Sequence, residues 1–310
     1  MENTRAKTTR NSLILLLTAT IWGMAFVSQS KGMDYMHPFT FNGVRSLIGA
    51  AGILVYILIS RKIAGDKAAK LDWKLNVKAG LLCGIFLTIA STLQQFGIKY
   101  TSVGKAGFIT TLYIIFVPMF GIFLKKKVAP VVWAAAGMAA VGMYLLCMTE
   151  SLRLGAGDIM VFLCAIAFAI QIMTVDHYAA RIDGAVVSCI QFTVCGVVCC
   201  IGALIWGQPT FGQLQEGLGA LLYAGVLSCG VGYTLQIVGQ KGLNPTVAAL
   251  IMSLESVIAT ISGWIAYKIG FLSTDQTLTP RQIAGCVIVF AAVILVQLPP
   301  EWFRLGKKNA

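Results

Sequence analysis

Charge is scarce in this chain. Only 12% of its 310 residues are Asp, Glu, Lys or Arg, against 57% hydrophobic, and a soluble domain of this length carries about twice that charged fraction. Acid is scarcer than base, with 12 Asp and Glu against 24 Lys and Arg, and histidine occurs twice, at His37 and His177. An enzyme needs a nucleophile with its base, a metal cluster, or paired acids at short spacing, and so few titratable groups leave little material for one. A Gly-rich loop ending in Gly-Lys-Ser/Thr is also missing, which argues against ATP-driven machinery. The nine cysteines, Cys83, Cys147, Cys164, Cys189, Cys195, Cys199, Cys200, Cys229 and Cys286, fall within or at the end of apolar segments. They read as small packing groups, without zinc-site spacing or a disulfide framework. No catalytic residue, metal site or cofactor is expected.

Apolar runs are abundant. Val77 to Gly97 approaches a full membrane crossing with one charge, Lys78, at its edge, and Val131 to Met148 and Ile283 to Leu298 carry none; a helix needs ~20 residues to span ~30 Å of hydrocarbon. Breaking the apolar runs at Gly, Pro and charge clusters predicts ten spans, at 12–30, 39–60, 77–97, 105–124, 130–148, 157–175, 185–206, 217–239, 246–268 and 280–298. The first has the basic start of a signal peptide but no small-residue cleavage site, so it is read as a retained helix. The connections are short, and the lipid bilayer is the chain's main environment.

The net charge of +12 would suggest nucleic acid in a soluble protein, but here it follows the loops. With the N-terminus inside, 17 of the 24 basic residues fall on the cytoplasmic side and 6 outside, with Arg45 within a span. Short loops rich in Lys and Arg stay in the cytoplasm. Both termini are therefore expected there, and no nucleic-acid partner is expected.

Sliding the chain by 142 residues aligns 92–124 with 234–266 without a gap. Nine of the 33 positions are identical, among them Gln94/Gln236, Gly97/Gly239 and Lys99/Lys241. An offset near 146 sets Arg45 opposite Gln191 and Trp22 opposite Phe168 earlier in each half. Five helices per half is an odd number, so the second half enters the membrane from the opposite side. Inverted repeats of this kind build transporters whose substrate site lies near the midplane. The expected fold is an all-α membrane protein of ten helices in two inverted five-helix repeats, 1–148 and 149–299, followed by a cytoplasmic tail, 300–310.

The strings "IWGMAFV" in the first span, "FNGVRSLIGA" in the second and "IVGQKGLNPTVAALIMSLESV" across the eighth and ninth resemble the drug/metabolite transporter superfamily, specifically its EamA-like members. The resemblance covers nearly the whole chain. It implies alternating-access movement of small metabolites, often export of amino acids or related compounds; the compact loops and the lack of a eukaryotic sorting signal point to a bacterial cytoplasmic membrane. The chain departs from the family pattern in two places. "GIFLKKKV" and "GWIAYKIG" carry lysines where the family commonly has a Gly-Glu pair, and Glu255-Ser256 stands where the ninth helix often reads Glu-Pro.

One acid, Glu255, lies about nine residues into its span, roughly 13 Å deep at 1.5 Å per residue. A carboxylate at that depth must face the bundle interior or a wet cavity. Either it binds a proton or a cationic substrate group, or it ties helices together through hydroxyls such as Ser253 or Ser256. Its repeat mate is Tyr113, also in mid-span. Arg45, six residues from its span's outer end, would bind a substrate carboxylate; the plainer account is a long side chain that snorkels to the interface. With both charges in one cavity, a zwitterion would fit. Gln94 and Gln236 would stand near opposite faces, as gates or as helix-joining amides. Gln29, Gln171, Tyr233 and Thr110 are further polar candidates, and Trp22 would supply an aromatic wall. The small-residue faces "WAAAGMAAVGM" and "VRSLIGAAGIL" let helices approach closely, within one chain or in a homodimer. The expected partner is a small-molecule substrate. A translocator of lipid or lipid-linked sugar is the alternative, since the same fold can open its cavity sideways to lipid.

Overall fold

A computed structural model describes residues 2–65, 71–124, 130–147, 155–273 and 275–297. The expected tail 300–310 and the basic clusters at 125–127 and 304–308 lie outside the described residues. Within those residues every regular element is a helix. Ten long helical rods follow in order: α1 (Glu2–Gly32), α2 (Pro38–Ala64), α3 (Trp73–Ile98), α4 (Val103–Phe123), α5 (Pro130–Cys147), α6 (Ala156–Tyr178), α7 (Gly184–Gly207), α8 (Leu218–Gln240), α9 (Pro245–Lys268) and α10 (Pro280–Gln297), with one short helix, Phe211–Glu216, before α8. Eight are long and apolar enough to cross a bilayer. The apolar stretches in α5 and α10, Pro130–Gly142 and Pro280–Leu295, are shorter.

Polar side chains at the turns satisfy the first N–H groups that each helix leaves open. Asp72 accepts from Leu75 N at 3.0 Å, Asp183 from Ala185 N and Val186 N at 3.0 and 3.2 Å, and Asn244 from Thr246 N at 2.9 Å. Pro245 follows Asn244 at the first helical position, where its fixed φ and missing N–H cost nothing. His37 Nδ1 caps α2 by accepting from Phe39 N at 3.3 Å. Burial, and secondarily the charge of Lys99, hold its imidazole below the usual pKa, in the neutral form that can accept. Gly242, with φ of 75°, follows α8 in the left-handed region that only glycine enters freely.

The halves interdigitate instead of forming two lobes. α2 packs on α7, α4 on α9 and α5 on α10; α3 packs on α6 and α7, α8 on α1 and α2, α4 on α6, and α9 on α1. Small residues allow these approaches. A Cβ placed on Gly142 of α5 would lie 2.8 Å from Gly285 O of α10, and one on Gly49 of α2 would lie 2.6 Å from Cys229 Cβ of α8. Each small-residue face thus includes a glycine engaged inside the chain. At one end of the bundle Lys105 Nζ pairs with Asp158 at 2.6 Å, and Thr101 and Gly155 N also donate to that carboxylate. At another turn Asn11 Nδ2 donates to Lys241 O at 2.7 Å.

Two helices are not continuous, although the sequence predicts unbroken spans. α4 breaks between Val103–Thr111 and Tyr113–Phe123, and α9 between Pro245–Met252 and Glu255–Lys268. Leu112 and Leu254 head the second halves with φ/ψ of −58°/−10° and −59°/−15°. The local hydrogen bonds tighten to three residues there: Leu112 N to Ile109 O at 3.2 Å and Leu254 N to Ile251 O at 3.3 Å. The two leucines are 142 residues apart, the offset of the internal alignment.

Candidate functional site

The breaks deliver Tyr113 and Glu255 as the first residues of the second half-helices, deep in the bundle. Tyr113 Oη donates to Glu255 Oε1 at 3.0 Å, and the two are 2% and 3% exposed. Among the described residues this is the one hydrogen bond reaching the acid. The hydroxyls expected to tie it are engaged otherwise: Ser253 Oγ donates to Leu250 O and Ser256 Oγ to Ser253 O.

Around this pair lies a small cavity of about 30 Å³. It is lined by side chains of α1, α2, α3, α4, α6, α8 and α9, while α5, α7 and α10 stay outside. All eight candidates singled out from the sequence reach it: Glu255, Tyr113, Arg45, Trp22, Gln94, Gln236, Gln171 and Tyr233. Gln29 and Thr110 do so as well. Every lining residue except half-buried Trp22 is buried.

Arg45 does not snorkel. It is 5% exposed, its Nε donates to Asn42 Oδ1 at 2.9 Å, and its guanidinium lies 5.4 Å from the centre of the Phe41 ring. It forms no ion pair among the described residues. A buried cation without a carboxylate partner costs several kcal/mol, and the terminal guanidinium nitrogens are the groups a ligand anion would satisfy. Asn42 is fully buried and also donates to Ser91 Oγ at 3.0 Å, which fixes the amide that fixes the arginine.

Gln94 and Gln236 line the same cavity. Gln94 Nε2 donates to Thr110 Oγ1 at 3.2 Å, and Gln236 Nε2 donates to Gln171 Oε1 at 3.2 Å. Gln95 turns away and donates to Gln29 O at 3.2 Å. The Oε1 atoms of Gln29 and Gln236 are buried without a partner, which leaves two acceptors on the lining for a polar guest or water. The aromatic wall is Trp22 against Tyr233, ring centres 4.5 Å apart, with Phe192 edge-on to Tyr233 at 4.9 Å. Trp22 fits because residue 232 is glycine; a Cβ there would lie 2.6 Å from the indole Nε1.

Sequence reasoning missed Asn42, Phe26, Ile172 and Ser228. Asn42 carried a usable signal, a polar residue three before Arg45 in an apolar span, on the same helix face. Ser228 carried none. It lies in a widened stretch of α8, Tyr223–Gly232, where each turn holds an extra residue and side chains leave their expected directions. Such widened turns occur often at functional sites.

The sequence profile of the EamA-like transporter family matches this chain twice, over residues 10–148 and 155–298. An uncharacterized transporter of Archaeoglobus fulgidus is 28% identical over 92% of this chain and 84% of its own length. The uncharacterized transporter YwfM of Bacillus subtilis is 24% identical over 94% of each chain. One solved crystal structure superposes with a TM-score of 0.73 over 96% of this chain and 99% of its own, at 16% identity; that likeness concerns the fold alone.

Proposed function

Since this chain belongs to the EamA-like transporter family and is a multi-pass membrane protein, we propose that it moves a small metabolite across the bacterial cytoplasmic membrane by alternating access. The substrate class is an amino acid or related zwitterion, exported, with protons as the coupling ion. Ten spans in two inverted five-helix repeats, with both termini in the cytoplasm, form the scaffold. The double family match supports this organisation. So does the packing, because exchanging each of the first five helices for the helix five places on turns every major helix contact into another that is present. The twin breaks at Leu112 and Leu254 agree with it, as discontinuous helices at the repeat interface commonly build such sites.

The observation that carries the reading is the buried cavity in which Glu255, paired with Tyr113, shares a wall with an arginine that has no carboxylate partner. A zwitterion would meet Arg45 with its carboxylate and Glu255 with its ammonium, while Trp22 and Tyr233 flank its side chain. Repeat symmetry would make the cavity's two sides equivalent, but Arg45 has neutral Gln191 as its counterpart and Glu255 has neutral Tyr113. The charges therefore come one from each repeat and give the cavity a fixed polarity for an oriented guest.

Proteoliposomes loaded with a pH-sensitive dye and challenged with pools of amino acids and other metabolites test this. The wild type is expected to show substrate-triggered proton flux; Glu255→Gln is expected to lose that flux and to retain solute counterflow. Solute movement without protons in both proteins would remove Glu255 from coupling. Silence in every pool would favour translocation of a lipid or lipid-linked sugar.

A further inference from the structure

A second site lies on the other face of α8, away from the cavity. α2 and α8 touch at Gly49, where a Cβ would meet Cys229 Cβ at 2.6 Å and Gly225 O at 2.9 Å. One turn further along α2 they have parted, and a Cβ on Gly52 would meet nothing within 4 Å. The result is an apolar trough of about 410 Å³ between Gly49–Tyr56 and Val226–Val238. Its α8 wall covers twelve residue steps, roughly 18 Å at 1.5 Å per residue and somewhat less where the helix is widened. One leaflet contributes about half of the ~30 Å of hydrocarbon, so the trough has the length of a single acyl chain.

The trough opens into a polar cleft of about 610 Å³ at the end of the bundle; Tyr56, Thr234 and Val238 line both. Three cations, Arg61, Arg181 and Lys241, reach the cleft, and none forms an ion pair among the described residues. The cleft also holds Asp72 and Asp183, but both carboxylates accept from helix-capping backbone N–H groups. Arg181 and Lys241 each donate to one backbone carbonyl, of His177 and Ile182, which leaves further donors on each. Guanidinium groups match phosphate oxygens in geometry as well as charge, and basic pockets between membrane helices bind anionic headgroups.

We propose that this seam holds one anionic phospholipid, its phosphate in the cleft among Arg61, Arg181 and Lys241 and one acyl chain in the trough between α2 and α8. Free phosphate would match the cleft but leave the trough empty. A neutral lipid would match the trough but leave the cations unanswered. The lipid joins the two halves of the chain along one of their contacts, independently of what the central cavity carries.

Native mass spectrometry of the purified full chain, equilibrated with equal amounts of phosphatidylglycerol and phosphatidylcholine, tests the assignment. One phosphatidylglycerol is expected to remain bound, with at least tenfold preference. Gly52→Leu fills the trough where there is open space, and Arg61→Gln with Arg181→Gln strips the cleft. Each is expected to lower phosphatidylglycerol retention at least tenfold while the lipid-free melting midpoint stays unchanged. Equal retention of the two lipids overturns the proposal, as does undiminished retention by Gly52→Leu, which decides alone should the arginine variant fail to fold. Glycerol 3-phosphate that displaces the lipid at equal concentration would assign the cleft to a free phosphate compound and also overturn it.

Discussion

Glu255 and Tyr113 satisfy each other where few other partners exist. Tyr113→Phe keeps the ring and removes the donor, so the acid loses the hydrogen bond it has. Leaving a buried polar group unsatisfied costs about 1–3 kcal/mol, and loss of stability in that range is expected for the variant in chemical denaturation. Combined with Glu255→Gln the costs should fall short of additive by at least ~0.5 kcal/mol, since residues sharing one bond couple; strictly additive costs would show that the bond contributes nothing. Residues of this kind were legible in the sequence because charge stands out in an apolar run. Arg45 and Glu255 are visible for that reason; Asn42, uncharged, was missed although it stands three residues from Arg45. What a linear reading leaves open is direction: Gln94 and Gln236, set near opposite faces because the repeats are inverted, send their side chains to one cavity.

Among the elements, α5 and α10 form a clamp outside the cavity, and it depends on one missing side chain. Gly142→Ala would press a methyl group against Gly285 O and Val289 N, at 2.8 and 2.9 Å. Backbone cannot move aside cheaply, so a loss of about 1–3 kcal/mol is expected, read as a lower melting midpoint. Gly137 lies on the same helix with open space around its Cβ position. Gly137→Ala is expected to be neutral or to stabilise by up to ~1 kcal/mol through helix propensity alone. Equal effects of the two substitutions would refute the clamp. The helices themselves were legible from apolar runs and punctuating Gly, Pro and Asn. The breaks in α4 and α9 were not, because no proline or glycine marks Leu112 or Leu254. They depend on a backbone adjustment that local composition does not encode. Pro118, which does sit inside α4, lies six residues past the break.

For the whole molecule, the repeat was legible as nine identities in 33 positions, and the helix contacts follow the same exchange of halves. Span count was legible less sharply. Eight helices satisfy length and hydropathy, while the apolar parts of α5 and α10 are shorter and rely on each other. Orientation rests on the distribution of Lys and Arg, and reporter fusions check it. An alkaline phosphatase fused at either end is expected to stay inactive, and fluorescent protein fused at either end to glow, since the proposed topology puts both ends in the cytoplasm; opposite behaviour of the two ends would require an odd number of crossings.

The contact between Tyr113 and Glu255 also bears on ancestry. The two occupy equivalent positions in the aligned halves, yet they touch, so an axis relating the halves would pass between them. In a symmetric homodimer a residue on the axis meets its own copy. Two glutamates there would repel or share a proton, and two tyrosines would lack the acid. Once a duplicated gene is joined into one chain, the copies can diverge and place an acid against a phenol. The pairing at the centre of this protein is thus one that gene fusion makes available and that a dimer of identical five-helix chains is denied.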